Sequence, residues 1–324
     1  MMEKFKIMKI AIIGSGIAGI TLANKLKDNF EVIIFEKSRG VGGRLSTRRN
    51  NSFSFNHGCP SFTANSQIFL KIIEELILKK CLIKLEDKSF SNNEISLYKG
   101  FPNMNSFLKV LSNNLVINFS NEISKIIRKE NYWLVFNKNE KLVGQFDGIL
   151  TSIPSYQASS IIPDNVTFKE IIKSIKMTSC FAIMIGYWDR NNNLSEQEII
   201  LESSEIKKIV LQKEINKNLN YFSIVVYLNE DWTKRNFNFD KQKVMEYFLE
   251  RTISILTLNK HQILVTDIQR WKYSQVSRDN SHNFFFDEKK FIGACGDWCL
   301  NGNVEGAFIS ASNLSNSIIK ILNS

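Results

Sequence analysis

The sequence predicts an α/β protein: a Rossmann-like unit with a second, α+β domain inserted into it. Three observations predict this. A glycine-rich turn, Gly14-Ser15-Gly16-Ile17-Ala18-Gly19, joins an apolar run at 9–13 to a helical pattern at 17–27. The C-terminal end repeats a strand, turn and helix order at 291–322. The stretch between carries longer strand-like runs and one long helix, a different pattern.

Taken in order, residues 9–13 read as a buried strand, 17–27 as a helix and 31–36 as a second strand. Residues 67–80 place Ile68, Ile72, Ile73, Leu76 and Ile77 on one helical face, and 105–113 read as another helix. Strands are expected at 115–119, 123–128, 132–136 and 146–151, with Glu130-Asn131 as a hairpin turn. The middle adds strands at 181–187, 221–228 and 263–271 around a helix at 240–256. A strand at 291–295 and a helix at 304–322 close the chain. Both ends thus build one domain, expected over 1–65, 100–158 and 288–324, and the middle builds another, over 66–99 and 159–287.

The chain has 324 residues, which suggests about two domains. Apolar residues make up 44%, ordinary for a globular protein and too many for a disordered one. Five cysteines, an odd and small number, argue against a secreted disulfide framework. The uncharged run at 10–23 holds three spaced glycines and is shorter than the roughly 20 residues of a spanning helix. A soluble, cytoplasmic protein with no membrane partner is expected. Met8 opens the phrase MKIAIIGSG, so residues 1–7 are expected to be an extension, or Met8 the start. The net charge of +10 raises an anionic partner. The basic runs (Arg48-Arg49, Lys79-Lys80, Lys207-Lys208, Lys289-Lys290) are short, dispersed and without a nucleic-acid motif, so they read as solvated surface.

The glycine-rich turn has a chemical reading. Gly14 permits the tight turn, Gly16 lets the backbone approach a pyrophosphate, and Gly19 lets helix and strand pack closely. Ser15, Ile17 and Ala18 fill the same loop, whose helix N-terminus favours anions. Glu36 ends the second strand, where an acid bonds ribose hydroxyls. This unit alone does not separate FAD from NAD. Gly42-Gly43-Arg44 follows closely and resembles the extended motif of flavoproteins of the glutathione reductase and amine oxidase superfamily. There the glycines pass the FAD pyrophosphate and the arginine contacts phosphate or flavin.

At the C-terminal end, a strand leads to Gly296-Asp297 and a helix begins near Glu305-Gly306-Ala307. Alone, Asp297 reads equally as a capping residue and Glu305 as a first-turn acid. In the superfamily the corresponding Asp bonds the ribitol chain, and the helix N-terminus faces the flavin N1/O2 edge, where it stabilises negative charge.

Further stretches match one family. Phe55 to Ala64 (FNHGCPSFTA) resembles its F-D-H-G-A-Q-Y-F-T-A phrase. YKGFPNMNSFLKVL resembles its G-x-P-x-M segment, DGILTSIPSYQA its return strand and QRWKYS its H-R-W-R-Y-A phrase. GDWCLNGNVEGAFIS is very close to its C-terminal phrase. Together the chain resembles a bacterial renalase-like FAD-dependent oxidoreductase of the flavin amine oxidase superfamily, over nearly its whole length. The resemblance implies non-covalent FAD in a p-hydroxybenzoate-hydroxylase-like fold. It also places Lys37, Cys59, Pro60, Ser61 and Ile123 among the cofactor contacts. The implied activity is oxidation of the 2- and 6-dihydro isomers of NAD(P)H to NAD(P)+, with dioxygen as acceptor giving hydrogen peroxide. Asn56 stands where the family has Asp, Cys59-Pro60-Ser61 replaces Ala-Gln-Tyr, and Gln269 replaces His. The centre, 189–220, matches poorly, and specificity is expected there.

Other residues carry weaker signals. His57, His261 and His282 show no metal-ligand spacing, so no metal is expected. His57 lies in the flavin-proximal phrase as an orienting group, a general base or a structural residue. Hydride transfer needs positioning more than proton abstraction, so no catalytic base is assigned. Arg270, Trp271 and Tyr273 form a compact group that suits stacking a nicotinamide and meeting a phosphate, or equally a strand with alternating packing. Trp298, and more weakly Trp188 and Trp232, are candidates to line a substrate cavity. Cys295 and Cys299, separated by three residues, read as small residues beside the flavin rather than a redox pair. The expected substrate is a small molecule, a dihydronicotinamide dinucleotide. The alternatives are a flavin amine oxidase or desaturase, and a non-catalytic flavin-binding redox sensor.

Overall fold

A computed structural model describes residues 7–50, 52–85, 96–201, 205–215, 220–277 and 281–322. Residues 1–6 of the expected N-terminal extension lie outside them. The first strand, β1 (Lys9–Ile13), turns at Gly14 into α1 (Ile17–Leu26), and β2 (Glu31–Phe35) returns beside it. β1 pairs in parallel with β2 and with β12 (Gly148–Thr151), which pairs in parallel with β19 (Ile292–Ala294). The parallel β8 (Val116–Asn118) and the antiparallel β18 (Phe285–Asp287) close the edges of a six-stranded sheet. Both chain ends therefore enter one sheet, the Rossmann-like arrangement the sequence predicts.

That sheet is covered on both faces, which is why β1 and β12 are near-continuous apolar runs. One face meets α1 and α8 (Val304–Leu322), with Ile12, Leu22, Ala311 and Leu314 fully buried between them. The other face meets a three-stranded sheet of β9 (Ile123–Arg128), β10 (Trp133–Asn137) and β11 (Leu142–Phe146), through Trp133, Val135 and Phe146. The single strand expected at 146–151 is in fact two. Asp147 breaks it: its carboxylate accepts from Lys9 N–H at 2.7 Å, and its own N–H donates to Lys9 O at 2.8 Å. The chain thereby leaves one sheet and enters the other.

The inserted domain is an antiparallel sheet in the order β14 (Gln197–Ile200), β15 (Ile206–Lys213), β16 (Tyr221–Leu228), β13 (Cys180–Trp188) and β17 (Ile263–Trp271). Alternation along β13 sends Phe181, Ile183 and Ile185 to one face, against α6 (Glu230–Arg235) and α7 (Lys241–Leu256). Asp240 caps α7 by accepting from Gln242 N–H and Lys243 N–H. Cys180, Ala182 and Met184 point the other way, onto a hairpin of β3 (Arg48–Asn50) and β4 (Phe53–Phe55). Phe53 and Phe55 bury themselves there, and each such side chain contributes about 1.5–3 kcal/mol.

Three short helices, α3 (Ser106–Leu111), α4 (Ser155–Ile161) and α5 (Lys169–Ser174), and a small sheet of β5 (Phe62–Thr63), β7 (Leu97–Gly100) and β6 (Leu82–Leu85) complete the fold. Residues 66–99, which the sequence reading grouped with the inserted domain, include α2 (Gln67–Leu78). Its Phe69, Ile73 and Leu76 enter the core of α1 and α8.

Candidate functional site

A cavity of about 1460 Å³ opens between the C-terminal ends of the parallel strands and one face of the inserted sheet. Ligands of α/β sheets bind at such strand ends. Its walls bring together most of the residues singled out from the sequence. They include Gly14, Ser15, Gly16, Ile17, Ala18, Glu36, Lys37, Gly42, Gly43, Arg44, His57, Cys59, Pro60, Ser61 and Ile123, and from the second half Arg270, Trp271, Tyr273, Gly296, Asp297 and Ala307. Gly19, Trp298, Glu305 and Gly306 do not line it.

The turn at the start of α1 is built for an anion. Gly14 sits at φ +104°, a conformation that favours glycine. A Cβ on Gly16 would meet no atom within 4 Å, so the cradle there is open to a ligand. The first turn of α1 holds no acid to compete with one. Gly19 serves packing: a Cβ there would lie 2.0 Å from Gly14 O. Glu36 is buried and accepts three hydrogen bonds, from Ser15 N–H and Oγ at 2.8 Å each and from Ser38 N–H at 2.8 Å. The carboxylate expected to meet a ribose thus also holds the loop that would carry the phosphates. These residues fit a dinucleotide with a diphosphate at the α1 N-terminus.

Arg44 and Asp297, read separately in the sequence, come together in the cavity wall. The resemblance sends Arg44 to phosphate or flavin and Asp297 to the ribitol chain; here they pair with each other. Arg44 Nη1 donates to Asp297 Oδ2 at 2.7 Å and to Ser274 O at 3.0 Å, and Nη2 donates to Asp297 Oδ1. Burial opposes the guanidinium charge, but Asp297 outweighs it and the pKa of Arg44 rises. The loop from Gly58 to Ser61 crosses directly over Arg44, since a Cβ on Gly58 would lie 2.0 Å from Arg44 O. Cys59 N–H donates to that oxygen at 2.9 Å. Burial pushes the Cys59 thiol up to about 11, so it is a neutral group in the wall.

The aromatic end of the cavity is formed by His57 and Trp271. Their rings stack at 5.2 Å and 26°, and Trp271 Nε1 donates to His57 O at 2.9 Å. His57 Nδ1 lies 3.3 Å from Phe55 O. As Phe55 O can only accept, Nδ1 carries the proton. Burial first, and the charge of Arg48 second, lower the His57 pKa to about 4. Arg48, also in the wall, is fixed by Asp267 at 2.9 Å and by Gln269 Oε1. Sequence reasoning missed Arg48 because it stood in a two-residue basic run that looked like surface.

Other predicted contacts are corrected. Arg270 borders the cavity, but its Nη1 donates to Phe237 O at 2.6 Å and the guanidinium lies 4.8 Å over the Phe237 ring. Neighbours in a strand point to opposite faces, so Trp271 and Gln269 look into the cavity while Arg270 turns away. Tyr273 stacks on Tyr156 at 5.7 Å rather than beside Trp271. Trp298 is fully buried behind the wall, donates to Ile153 O at 3.0 Å and stacks on Phe285. Trp188 lies under Arg190 and Trp232 packs edge-on against Phe248. Glu305 accepts from Asn65 N–H and Ser66 N–H, tying the first turn of α8 to the start of α2, and Gly306 N–H donates to Asn303 Oδ1 at 2.6 Å. Cys295 and Cys299 are free thiols that do not line the cavity, with pKa values raised by burial.

Asn56, where the family has Asp, lies outside the cavity wall and joins three elements. Its Oδ1 accepts from Thr47 Oγ1 at 2.7 Å and Met104 N–H at 3.0 Å, and its Nδ2 donates to Gln212 Oε1 at 2.9 Å. The cavity as a whole is basic: eleven lysines and arginines line it against four aspartates and glutamates.

Comparison with known proteins agrees with this geometry. Residues 12–76 match a family described as an NAD(P)-binding Rossmann-like domain. A segment of 52 residues is 42% identical to 4,4'-diapophytoene desaturase (4,4'-diaponeurosporene-forming) of Staphylococcus aureus strain Newman, covering 16% of this chain and 10% of the desaturase. The chain thus matches about a tenth of that relative's length. Two solved structures are similar over nearly the whole chain. One is a putative protoporphyrinogen oxidase from Exiguobacterium sp. 255-15, with a TM-score of 0.74, 11% identity, and coverage of 96% of this chain and 98% of that one. The other is a putrescine oxidase double mutant, with a TM-score of 0.69, 12% identity, and coverage of 97% and 99%. The chain carries a Rossmann-like dinucleotide-binding unit and shares the overall fold of these two proteins.

Proposed function

We propose that this protein is an FAD-dependent oxidoreductase, related to the amine oxidases and desaturases, that oxidises the 2- and 6-dihydro isomers of NAD(P)H. The observation that carries the reading is one basic cavity that joins the α1 diphosphate cradle to the His57–Trp271 wall. At about 1460 Å³ it exceeds the roughly 300–1,000 Å³ of ordinary small-molecule pockets, which suits a cofactor and a second ligand together.

Bound FAD would supply the two-electron redox chemistry of the net reaction, in which isomer, proton and dioxygen become NAD(P)+ and hydrogen peroxide. The protein's part is placement. The α1 N-terminus would hold the cofactor diphosphate, Lys37 lines the same cavity beside Glu36, and Arg44, fixed by Asp297, lies along the cavity wall. Trp271, backed by the uncharged ring of the buried His57, would offer an aromatic surface to a nicotinamide, orienting it without removing a proton. Arg48 holds positive charge beside that wall.

An amine oxidase or desaturase reading draws on the putrescine oxidase fold and on the short desaturase match. The excess of cationic side chains opposes it for amines, because a protonated amine entering this cavity meets like charge. Anaerobic mixing of the FAD-loaded protein with the 6-dihydro and 2-dihydro isomers of NAD tests the proposal. Rapid loss of the yellow flavin absorbance is expected; no loss with either isomer refutes it.

A further inference from the structure

Two adjacent lysines face the cavity and have no part in the reaction as described. In β15, Ile206 pairs with Leu228 and Lys208 with Tyr227, so Lys207 is one residue too many, a β-bulge. A regular strand would send the two lysines to opposite faces. Here the alternation breaks and both line the cavity. Across the sheet, Lys208 stands in one row with Tyr227, Ala182 and Gln269, three strand spacings or about 14 Å from end to end. Trp271 and its stacked His57 adjoin the far end of that row. One end of the row is cationic and the other aromatic.

The ammonium groups are held in place. Lys207 meets Glu230 at 3.1 Å; Lys208 meets Glu198 at 2.8 Å and lies 5.5 Å over the Tyr227 ring. Each ammonium has three donors and its carboxylate takes one, so donors remain for a ligand. Of the two acids only Glu230 lines the cavity. The neighbouring thiols add no negative charge: burial raises Cys59 to about 11 and Cys180 to about 12.

We infer that Lys207 and Lys208 bind the diphosphate of a dinucleotide substrate whose ring lies at the His57–Trp271 end. This rests on the dihydronicotinamide reading above and names the part of the substrate that the inserted domain recognises. The test is calorimetric titration of the FAD-loaded protein with ADP-ribose, which carries the diphosphate and no nicotinamide. Replacing both lysines (Lys207→Ala with Lys208→Ala) weakens ADP-ribose by roughly tenfold or more and leaves adenosine unaffected. Glu230→Gln removes the competing acid and tightens ADP-ribose. Added salt weakens ADP-ribose more in the wild type than in the double variant. Unchanged affinity in the double variant, or weaker binding in Glu230→Gln, overturns the inference. Failure of the reaction is read separately. If no isomer bleaches the flavin but ADP-ribose binding still depends on the lysines, the reaction falls and the site stands. If the isomers bleach it with the same KM in the double variant, the site falls and the reaction stands.

Discussion

His57 is predicted to stay uncharged well below neutrality. His57 is 5% exposed, with its ring stacked on Trp271 and close to Arg48, and its pKa is lowered from 6.5 to about 4. A shift of that size corresponds to about 3 kcal/mol. The sign follows from proton uptake. Between about pH 4 and 6.5 the unfolded chain binds a proton at this position and the folded chain does not, so stability rises with pH across that window. The contribution is fully present above pH 6.5 and is lost as the pH falls towards 4. At pH 5 the loss already amounts to about 2 kcal/mol. The chain has three histidines, so the imidazole region of an NMR spectrum is simple, and His57→Gln identifies the signal of interest. The expected ring is the Nδ1–H tautomer titrating near pH 4, and the stability gap between wild type and His57→Gln narrows from pH 7.5 to 5. A ring that titrates near 6.5 in the folded protein, or carries its proton on Nε2, refutes the reasoning.

Further predictions concern the walls. Arg44→Ala strands Asp297, whose side chain is 5% exposed, and is expected to cost about 3–5 kcal/mol in urea unfolding; Asp297→Ala costs less, because Arg44 is 29% exposed and reaches water. Gly16→Ala places a methyl where only open space exists, so the protein folds but binds FAD more weakly by fluorescence titration. Gly19→Ala drives a methyl to within 2.0 Å of Gly14 O and lowers the melting temperature itself. Asn56→Ala leaves Thr47 Oγ1 and Met104 N–H without their acceptor and costs about 1–3 kcal/mol by chemical denaturation, with little change in KM because the side chain lies outside the cavity.

The Rossmann half of the molecule was legible because its constraints are local. β1 is the strand expected at 9–13, and α1 begins at Ile17 as the Gly14–Gly19 spacing requires. The long strands β16 and β17 also match, since aromatic and β-branched runs such as YFSIVVYL leave little alternative. β14 and β15 were not anticipated. Their lysines and glutamates hide the alternation, and the bulge at Lys207 interrupts its period. The hairpin of β3 and β4 escaped for another reason: Arg48-Arg49 reads as solvent-facing until Asp267 and Gln269, more than two hundred residues away, arrive beside Arg48.

At the site, residue types were readable but directions were not. Trp271 faces the cavity and Arg270 does not because β13 fixes the register of β17, a fact of pairing that no single segment contains. Trp298 and Glu305 were drawn in by their motif. Their hydrogen bonds to Ile153 O and to the Asn65 and Ser66 amides show that the phrase serves partly to lock α8 and its preceding turn in place. The Arg44–Asp297 pair joins two motifs that were each read alone.

The central claim is tested most directly by anaerobic stopped-flow mixing of the FAD-loaded protein with the two dihydro isomers, ordinary NAD(P)H and putrescine. The account predicts rapid flavin bleaching by at least one isomer, slow or no bleaching by NAD(P)H and putrescine, and hydrogen peroxide formed when air is admitted. Bleaching by putrescine with neither isomer active would contradict it.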